Sequence, residues 1–554
     1  MLFPSNFLNF LSPAKSFLAL LFLLLFISAP KHAYCQKVSQ ANATNPQYGG
    51  RFILGSIGEP SNLIPYLSSD APSHEAADYL YVAPLRYNKD LDVEPWATET
   101  YEVQDEGRKL IFKLRPGIKW QDGVELTADD VEFTYKLMID KRTPTAYAED
   151  FMIIKEFKKT GRYGFEVYYE RPYARALSTW MGAILPRHVL EGEDMLSTKY
   201  IREPLSCGTY LLKNWVPGSR LEFTANPNYF EGKPYISEIF SRIIPDTSTM
   251  FLELKAGKID MMGLSPQQYA RQTNGPKWDG KFNKYQYLAF SYNYMGYNLN
   301  NPLFANKKVR QAIAHAIDKK GIIHGVLMGL GQPTIGPYKP GTWAYNTSIK
   351  DYDYNPDLAR ALLAEAGFKD TNADGILEKD GQPFSFTLMT NQGNEQRIKI
   401  ATIIQNQLEE VGIEVRIRTV EWASFIEKFI NPRKFDAIIM GWTITQDPDN
   451  FDVWHSSKTE NPGLNFINFK NTEVDKLLDK GRHSLNQDER KKIYWRIQEI
   501  IHDEQPYCFL YVPFALPIIR SDVMGVEPAP AGISYNSREW WINFTAKQRP
   551  GVTP

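Results

Sequence analysis

The chain has 554 residues, and its 63 Lys and Arg against 64 Asp and Glu leave a formal net charge of −1. This balance argues against a dedicated nucleic-acid binder, and 43% hydrophobic with 23% charged residues argues against wholesale disorder and a multi-span membrane protein. At roughly 150 residues per domain, the length predicts three or four compact units. The aromatic content, 13%, indicates large apolar cores, an aromatic-lined pocket, or both.

Residues 1–35 have the pattern of a secretory signal peptide, because the apolar run Phe17–Ile27 is too short to span a bilayer. Cys35 would also suit a bacterial lipid anchor, but Tyr34 stands where such anchors need a small residue. Cleavage after Cys35 is therefore the favoured prediction. Residues 36–47, rich in Gln, Ser, Asn and Ala, are expected to form a flexible lead-in to a soluble, exported protein.

The mature chain alternates strand and helix patterns. Arg51–Leu54 is a predicted first strand, and Leu110–Leu114 shows the period of two expected of a half-buried strand. Thr127 can cap the helix that follows, whose first turn carries acidic residues. Further strands are predicted at Tyr210–Lys213, Arg220–Thr224, Ile239–Ile244, Phe384–Met389, Glu414–Thr419, Ala437–Gly441 and Phe509–Val512. Helices are predicted at Thr247–Ala256, Lys308–Asp318, Pro356–Ala366, Arg397–Val411, Val474–Arg482 and Gln487–Glu504, so the chain is an α/β protein.

Separated motifs carry the strongest signal. The stretch Leu110–Val131 reads LIFKLRPGIKWQDGVELTADDV, and it is followed in order by Gly208–Tyr210, Asn226–Tyr229, Gly232–Tyr235, Leu254–Asp260, Val309–Ile313, Gly441-Trp442 and Asp447–Asp449. The pattern to which they belong extends from about residue 50 to residue 545. In order and spacing they resemble one family, the bacterial extracellular solute-binding proteins, family 5, which are the oligopeptide-, dipeptide- and nickel-binding receptors of ABC importers.

The resemblance implies a periplasmic-binding-protein type II fold, with three domains woven into two lobes around a ligand cleft. Domain I would comprise 48–80, 190–283 and 516–545, domain II would be an insertion at 81–189, and domain III would span 284–515. It also implies a periplasmic, monomeric binding protein without enzymatic activity or a required cofactor. Its partners would be a small polar ligand and an ABC permease in the inner membrane, with no nucleic acid.

Three aromatic residues are the first candidates for ligand contact. By the resemblance, Trp442 and Trp422 match positions that line the cleft, and Tyr147 matches a position where some relatives place a ligand-facing tyrosine. Indole rings offer a large contact area at little cost in rotamer entropy, which suits a pocket for varied side chains. The alternative is that these rings pack in the hydrophobic core.

One departure from the family pattern bears on the ligand. Peptide receptors of the family carry an Asp shortly after the Gly-Trp pair, where it binds the ligand's α-ammonium, since an unpaired buried ammonium is costly. Here Thr445 stands near that place, and Asp447, before a proline, could substitute or shape a turn. Peptide binding is therefore the leading hypothesis, while a sugar, a modified peptide or a metal chelate remain open.

The segment from Asp370 matches the core of a calcium loop. Asp370, Asn372 and Asp374 supply oxygens at alternate positions, Gly375 permits the sharp turn, and Ile376 and Glu378 continue the pattern. The final bidentate Glu is replaced by Gly381. A structural Ca²⁺ and a bare Asp/Asn/Gly turn are both compatible with this sequence.

Three further features leave alternatives open. Cys207 and Cys508 could pair in an exported protein or remain free buried thiols. The sequence His74-Glu75-Ala-Ala-Asp78 is one substitution from a zinc-protease motif but lacks the second His. The rival functional class is an exported hydrolase such as a glycosidase, because acidic residues are numerous enough to supply a catalytic pair.

Overall fold

A computed structural model describes residues 45–544. The predicted signal peptide, Cys35 and most of the predicted lead-in lie outside this range. Within it, none of the helices combines the length and the apolar character needed to cross a bilayer.

The first lobe contains a seven-stranded mixed sheet. Its spatial order is Phe282–Lys284, Pro517–Arg520, Met261–Gly263, Arg51–Ser56, Glu238–Ile243, Arg220–Ala225 and Tyr210–Val216. The strand Arg51–Ser56 pairs in parallel with Glu238–Ile243, with Phe52 opposite Ile239. Because both of these residues are buried, the register places their side chains in the core of the lobe.

A smaller antiparallel sheet completes the first lobe. Its order is Thr98–Gln104, Lys109–Leu114, Gly164–Tyr169 and Ile154–Lys159. The predicted cap at Thr127 is confirmed, since its side chain and that of Asp130 form a capping box that begins the helix Ala128–Ile139. Phe112 and Phe165 stack at 4.6 Å between ring centroids on the face that this helix covers.

The second lobe is built on another seven-stranded sheet. Six strands follow the order Tyr287–Leu288, Tyr507–Ala515, Ser291–Tyr297, Ala437–Thr443, Ser385–Asn391 and Glu414–Val420, and Gly331–Pro333 pairs with Tyr507–Ala515. The neighbours Ser385–Asn391 and Glu414–Val420 run parallel because the helix Glu395–Glu409 connects them.

The remaining elements are shorter strand pairs and helices. The strand pairs are Leu85–Tyr87 with Val93–Pro95, Glu378–Lys379 with Gln382–Pro383, and Val523–Met524 with Trp541–Ile542. The other α-helices are Ala71–Leu80, Glu149–Met152, Ala176–Thr179, Arg187–Leu190, Thr247–Lys255, Lys307–Ala316, Lys319–Gly325, Pro356–Glu365, Trp422–Phe425, Phe451–Trp454, Thr472–His483 and Gln487–Glu504.

Every predicted strand and helix is present, and these differ from the prediction only at their ends. The strands Gly164–Tyr169 and Ser291–Tyr297 and the helix Ala71–Leu80 were not predicted. The helix predicted from Arg397 begins two residues earlier, at Glu395, because the side chain of Asn394 accepts a hydrogen bond from the Arg397 amide. Sequence periodicity marks the buried stripe, and the cap sets where the helix starts.

The hydrophobic core of the described residues divides between the lobes. Two clusters lie in the first lobe and two in the second. Cys207 belongs to a first-lobe cluster and Cys508 to a second-lobe cluster, and both are free thiols. The bridge considered from sequence is therefore wrong, because the two cysteines belong to separate cores. The predicted domain boundaries stay a prediction.

Candidate functional site

A cavity of about 1730 Å³ lies between the two lobes. The first lobe contributes Gly55–Gly58, the helix that starts at Ala71, and the helix Thr247–Lys255. The second lobe contributes the start of the helix Glu395–Glu409 and the end of the strand Ala437–Thr443. The wall is therefore formed by ends of regular elements, which are held in place by the cores of both lobes.

Trp442 lines this cavity near the end of its strand. Its ring stacks on Phe466 at 5.4 Å between centroids, and its Nε1 donates a hydrogen bond to the Tyr507 hydroxyl at 3.1 Å. These contacts fix the plane of the partly buried indole in the cavity wall.

Trp422 also lines the cavity, as the first residue of the helix Trp422–Phe425. The Glu421 carboxylate caps this helix by accepting hydrogen bonds from the amides of Ala423 and Ser424, both at 2.9 Å. The indole packs against Gly58 of the opposite lobe, where an added Cβ would lie 3.0 Å from its Cδ1. Trp422 thus serves both as cavity wall and as an interlobe contact.

Tyr147 lines the cavity, but its hydroxyl group is engaged inside the first lobe. It donates to the Ser68 carbonyl oxygen at 3.1 Å and lies 3.2 Å from Nε2 of His74. Burial raises the pKa of Tyr147, so the phenol stays protonated. His74 is held by the same contacts and faces no group of metal ligands among residues 45–544.

Thr445 and Asp447 are placed differently. Thr445 lines the cavity and donates its hydroxyl proton to the Asp447 carbonyl oxygen at 2.7 Å. The Asp447 side chain is not part of the cavity wall, because it pairs with Arg490 at 2.7 Å and accepts the Asp449 amide. The structure therefore brings together four of the five predicted ligand contacts and leaves Asp447 in a turn. A ligand-binding role for all five stays a prediction.

Sequence reasoning missed Arg397, a half-buried cation in the cavity wall. Its guanidinium donates to the side-chain oxygens of Asn391 at 3.0 Å and Asn293 at 3.4 Å, and no carboxylate in the described chain pairs with it. Burial lowers its pKa. The sequence did contain a signal for this site, because Arg397 lies in the first turn of an amphipathic helix. The positive end of the helix dipole makes a cation unfavourable at that position.

It also missed an acidic stretch of the wall formed by Glu75, Asp78 and Asp452. Desolvation by the surrounding cavity wall, followed by the negative charges of Asp78 and Asp70, raises the pKa of Glu75 to about 7, although its side chain stays open to the cavity. The same desolvation raises the pKa of Asp78 to about 6, and burial together with the charge of Asp150 raises that of Asp452 to about 7. Within residues 45–544, Glu75 and Asp78 form neither ion pairs nor hydrogen bonds through their carboxylates.

On one side of the cavity the lobes are joined by ion pairs, which we name the charged contact. Its first-lobe members are Glu149, Asp150 and Arg175, and its second-lobe members are Asp449, Lys458 and Arg482. Arg482, whose side chain is 2% exposed, lies 3.1 Å from both Asp150 and Asp449. Lys458 reaches Glu149 at 2.6 Å.

Elsewhere the lobes meet through what we name the polar contact. The Ser248 hydroxyl donates a hydrogen bond to the Glu395 carboxylate, and the Thr247 amide donates to the Gly393 carbonyl oxygen at 3.3 Å. Thr247, Ser248 and Glu395 also line the cavity. A ligand held there is consequently enclosed between two interlobe contacts.

The predicted calcium loop lies in the second lobe, apart from the cavity lining. Ligand oxygens of Asp370, Asp374 and Glu378 lie within 4.8 Å of one another. All three carboxylates already accept hydrogen bonds from within the loop. Asp370 accepts from the backbone amide of Ala373, and Glu378 accepts from that of Thr371. Asp374 accepts from the side-chain amide of Asn372 and the backbone amide of Ile376. The geometry is compatible with a bare turn, and Ca²⁺ binding here stays a prediction.

Two lobes built on mixed sheets, with an enclosed cavity between them, define a two-lobed binding protein. The chain belongs to the bacterial extracellular solute-binding proteins, family 5, since the model of the family's middle region matches residues 92–463. This finding confirms the resemblance and the type II fold that it implied.

Known relatives agree with this assignment. The chain is 36% identical over 538 residues to the oligopeptide-binding protein AppA of Bacillus subtilis, covering 94% of this chain and 97% of the relative. The structure of AppA in complex with a nonapeptide is similar with a TM-score of 0.86 at 35% identity, covering 90% of this chain and 100% of the other. NikZ of Campylobacter jejuni, in complex with Ni(L-His), gives 0.80 at 26% identity, covering 89% and 99%.

Proposed function

We propose that the protein is the extracytoplasmic receptor of an ABC importer and captures oligopeptides by closing its lobes over them. In this proposal the ligand is released unchanged to a membrane permease, and the protein acts as a monomer. The similarity to AppA, whose structure holds a nonapeptide, supports a peptide as the ligand class.

The observation that carries the proposal is the pattern of unpaired charges that the two lobes contribute to one cavity. Arg397 has no acidic partner in the described chain, while Glu75 and Asp78 in the same cavity have no basic partner. A zwitterionic peptide carries a carboxylate and at least one ammonium group, so it can pair with both kinds of site. Unpaired charges are costly in an enclosed site, and ligand binding would relieve that cost.

The rigid indoles support the same proposal. Trp442 and Trp422 present flat apolar surfaces that tolerate many side chains, which a receptor for varied peptides requires. A sugar would also stack on such rings, but it offers no charge for Arg397.

The test pairs a variant with a change in the ligand. Arg397→Gln should weaken binding of peptides with a free C-terminus by about 2 kcal/mol or more, roughly 30-fold, measured by titration calorimetry. C-terminally amidated peptides should bind wild type and variant equally weakly. Arg360→Gln, at an exposed pair with Asp357, is the matched control and should leave both affinities unchanged. Equal losses for free and amidated peptides would refute the carboxylate role of Arg397.

The ligand class is tested by native mass spectrometry of protein purified without refolding. A series of co-purified peptide masses is expected, and a single sugar or metal-chelate mass would overturn the peptide assignment. Incubation with excess protein should return every peptide intact. Recovery of cleaved product would favour the hydrolase alternative instead.

A further inference from the structure

The ligand cavity adjoins a second space in the first lobe. A second chamber of about 880 Å³ lies there, and six residues line both spaces: Gly55, Ser56, Pro72, Glu75, Asp78 and Gly263. We name this shared boundary the neck. The second chamber has the size of a typical small-molecule site, so it is large enough to hold part of a ligand.

Gly263 contributes bare backbone to the neck. Gly263 ends the strand Met261–Gly263, and a Cβ added to it would meet no atom within 4 Å. Its backbone is also outside the left-handed region, so a side chain could be accommodated there without strain. A large residue at Gly263 would therefore occupy the passage without disturbing a packed neighbour.

The neck also carries two acidic side chains. Glu75 and Asp78 lie three residues apart on the helix Ala71–Leu80 and so project from the same face. Both are solvent-accessible, and neither has a partner within residues 45–544. Arg86 in the second chamber is already paired with Glu94 and Glu231, so it does not neutralise Glu75 or Asp78.

The rest of the second chamber adds little charge of its own. Apart from Glu75 and Asp78, its lining has four acidic and three basic side chains, the latter being Arg86, Lys89 and Arg538. All seven are joined in ion pairs, so the unpaired negative charge is concentrated at Glu75 and Asp78. The chamber's apolar wall includes the rings of Tyr79, Trp96, Tyr229 and Trp540. An enclosed, net acidic, aromatic-walled space favours a cation on an apolar stem, such as a lysine or arginine side chain.

We propose that an extended peptide continues from the main cavity through the neck into the second chamber, with a basic residue held by Glu75 and Asp78. This inference rests on the proposed function, since it specifies which peptides the same site prefers. The enclosure that raises the pKa of Glu75 to about 7 is consistent with carboxylates that lack a counter-ion.

Gly263→Phe tests the passage. Affinities are measured for neutral peptides of three residues and for peptides of nine residues with one lysine at each position in turn. The variant should bind the short peptides as wild type does and the long ones at least tenfold more weakly. Gly161→Phe, at an exposed turn with no atom within 4 Å of an added Cβ, is the control. Unchanged affinity for long peptides, or an equal loss for short ones, would overturn the passage.

The isosteric changes Glu75→Gln and Asp78→Asn test the cation site and do not depend on whether Gly263→Phe folds. Each should lower the affinity for the best lysine-containing peptide about tenfold relative to its norleucine analogue. Equal affinities of wild type for the lysine and norleucine peptides at every position would refute the cation site. Failure of wild type to bind any peptide would instead refute the proposed function.

Discussion

Around Asp150 the two lobes meet through buried charges, whereas around Ser248 they meet through a hydroxyl group and a backbone amide. The charged contact removes Arg482 and Asp449 almost completely from water, and the polar contact leaves its groups partly accessible. A buried ion pair is strongly destabilised when one partner is lost, while a hydrogen bond of this kind contributes only modestly.

The difference matters for function, because both contacts border the ligand cavity. Asp449, Asp452 and Arg175 belong to its wall on one side, and Ser248 and Glu395 on the other. We expect the charged contact to require an accurate fit of the lobes, and the polar contact to add a smaller preference for the closed form. The following predictions separate these roles.

The largest effect is expected for Arg482→Met. Removing the guanidinium leaves the buried Asp449 without its ion-pair partner and leaves Asp150 with Arg175 alone, which should cost about 3–5 kcal/mol of unfolding free energy in urea titrations. Arg496→Met is the matched control, since Arg496 pairs with Glu473 at an exposed site and should cost about 1 kcal/mol or less. Similar losses in the two variants would contradict the importance of burial at the charged contact.

A large effect on binding is expected for Gly393→Ala at the polar contact. Gly393 has φ +77°, and an added Cβ would lie 2.1 Å from the Pro245 carbonyl oxygen across the lobe boundary. The clash should prevent full closure and lower ligand affinity at least about tenfold, or about 1.4 kcal/mol.

Gly341→Ala is the control for Gly393→Ala. Gly341 has φ +88° in the same lobe, but an added Cβ meets no atom within 4 Å, so the change carries only the backbone strain of about 1–2 kcal/mol. Ligand affinity should stay near that of wild type. Equal affinities in the two variants would mean that the polar contact is not formed in the ligand-bound protein.

The charged contact should also respond to pH through Asp452. Arg175, Lys458 and Arg482 lower its pKa, but burial and Asp150 prevail and raise it from 3.8 to about 7. Because the folded pKa exceeds the unfolded one, the stabilisation present below about pH 4 is lost as the pH rises through about 7. Asp452→Asn should flatten the stability curve between about pH 4 and 7 and be more stable than wild type at pH 8.

Thermal melting in matched buffers checks this prediction. Asp357→Asn, at an exposed side chain that pairs with Arg360, is the control and should keep the wild-type pH dependence. Parallel curves for wild type and Asp452→Asn would show that Asp452 does not titrate in this range.

The sequence predicted regular elements well and the site only in part. Hydrophobic periodicity located the predicted strands and helices because burial of one face is a local pattern, but it did not identify the central strand Ser291–Tyr297. The motif around Gly441 also led to Trp442, which lines the cavity. The charged contact left no such trace: Arg482 and Asp150 are 332 residues apart in the chain, and only the fold brings them together.

The same limit explains the acidic wall. Glu75 and Asp78 were visible in the sequence only as an incomplete metal motif, and their side chains acquire another meaning because the helix Ala71–Leu80 faces the cavity. Likewise, Asp447 resembled a substitute ligand group by position, but Arg490, 43 residues away, neutralises it. Pairing across the fold decides which charges remain available to a ligand.

The smallest effect is expected for Ser248→Ala, which removes the side-chain hydrogen bond of the polar contact to Glu395. Because such a bond contributes about 0.5–1.5 kcal/mol, the ligand dissociation rate should rise by roughly threefold to tenfold with little change in association. Ser197→Ala is the matched control, since Ser197 donates to Asp194 at 2.9 Å within a single lobe and should leave the rate unchanged. Stopped-flow tryptophan fluorescence measures both rates. An increase well above tenfold would mean that the polar contact, and not the charged contact alone, determines how long the lobes stay closed.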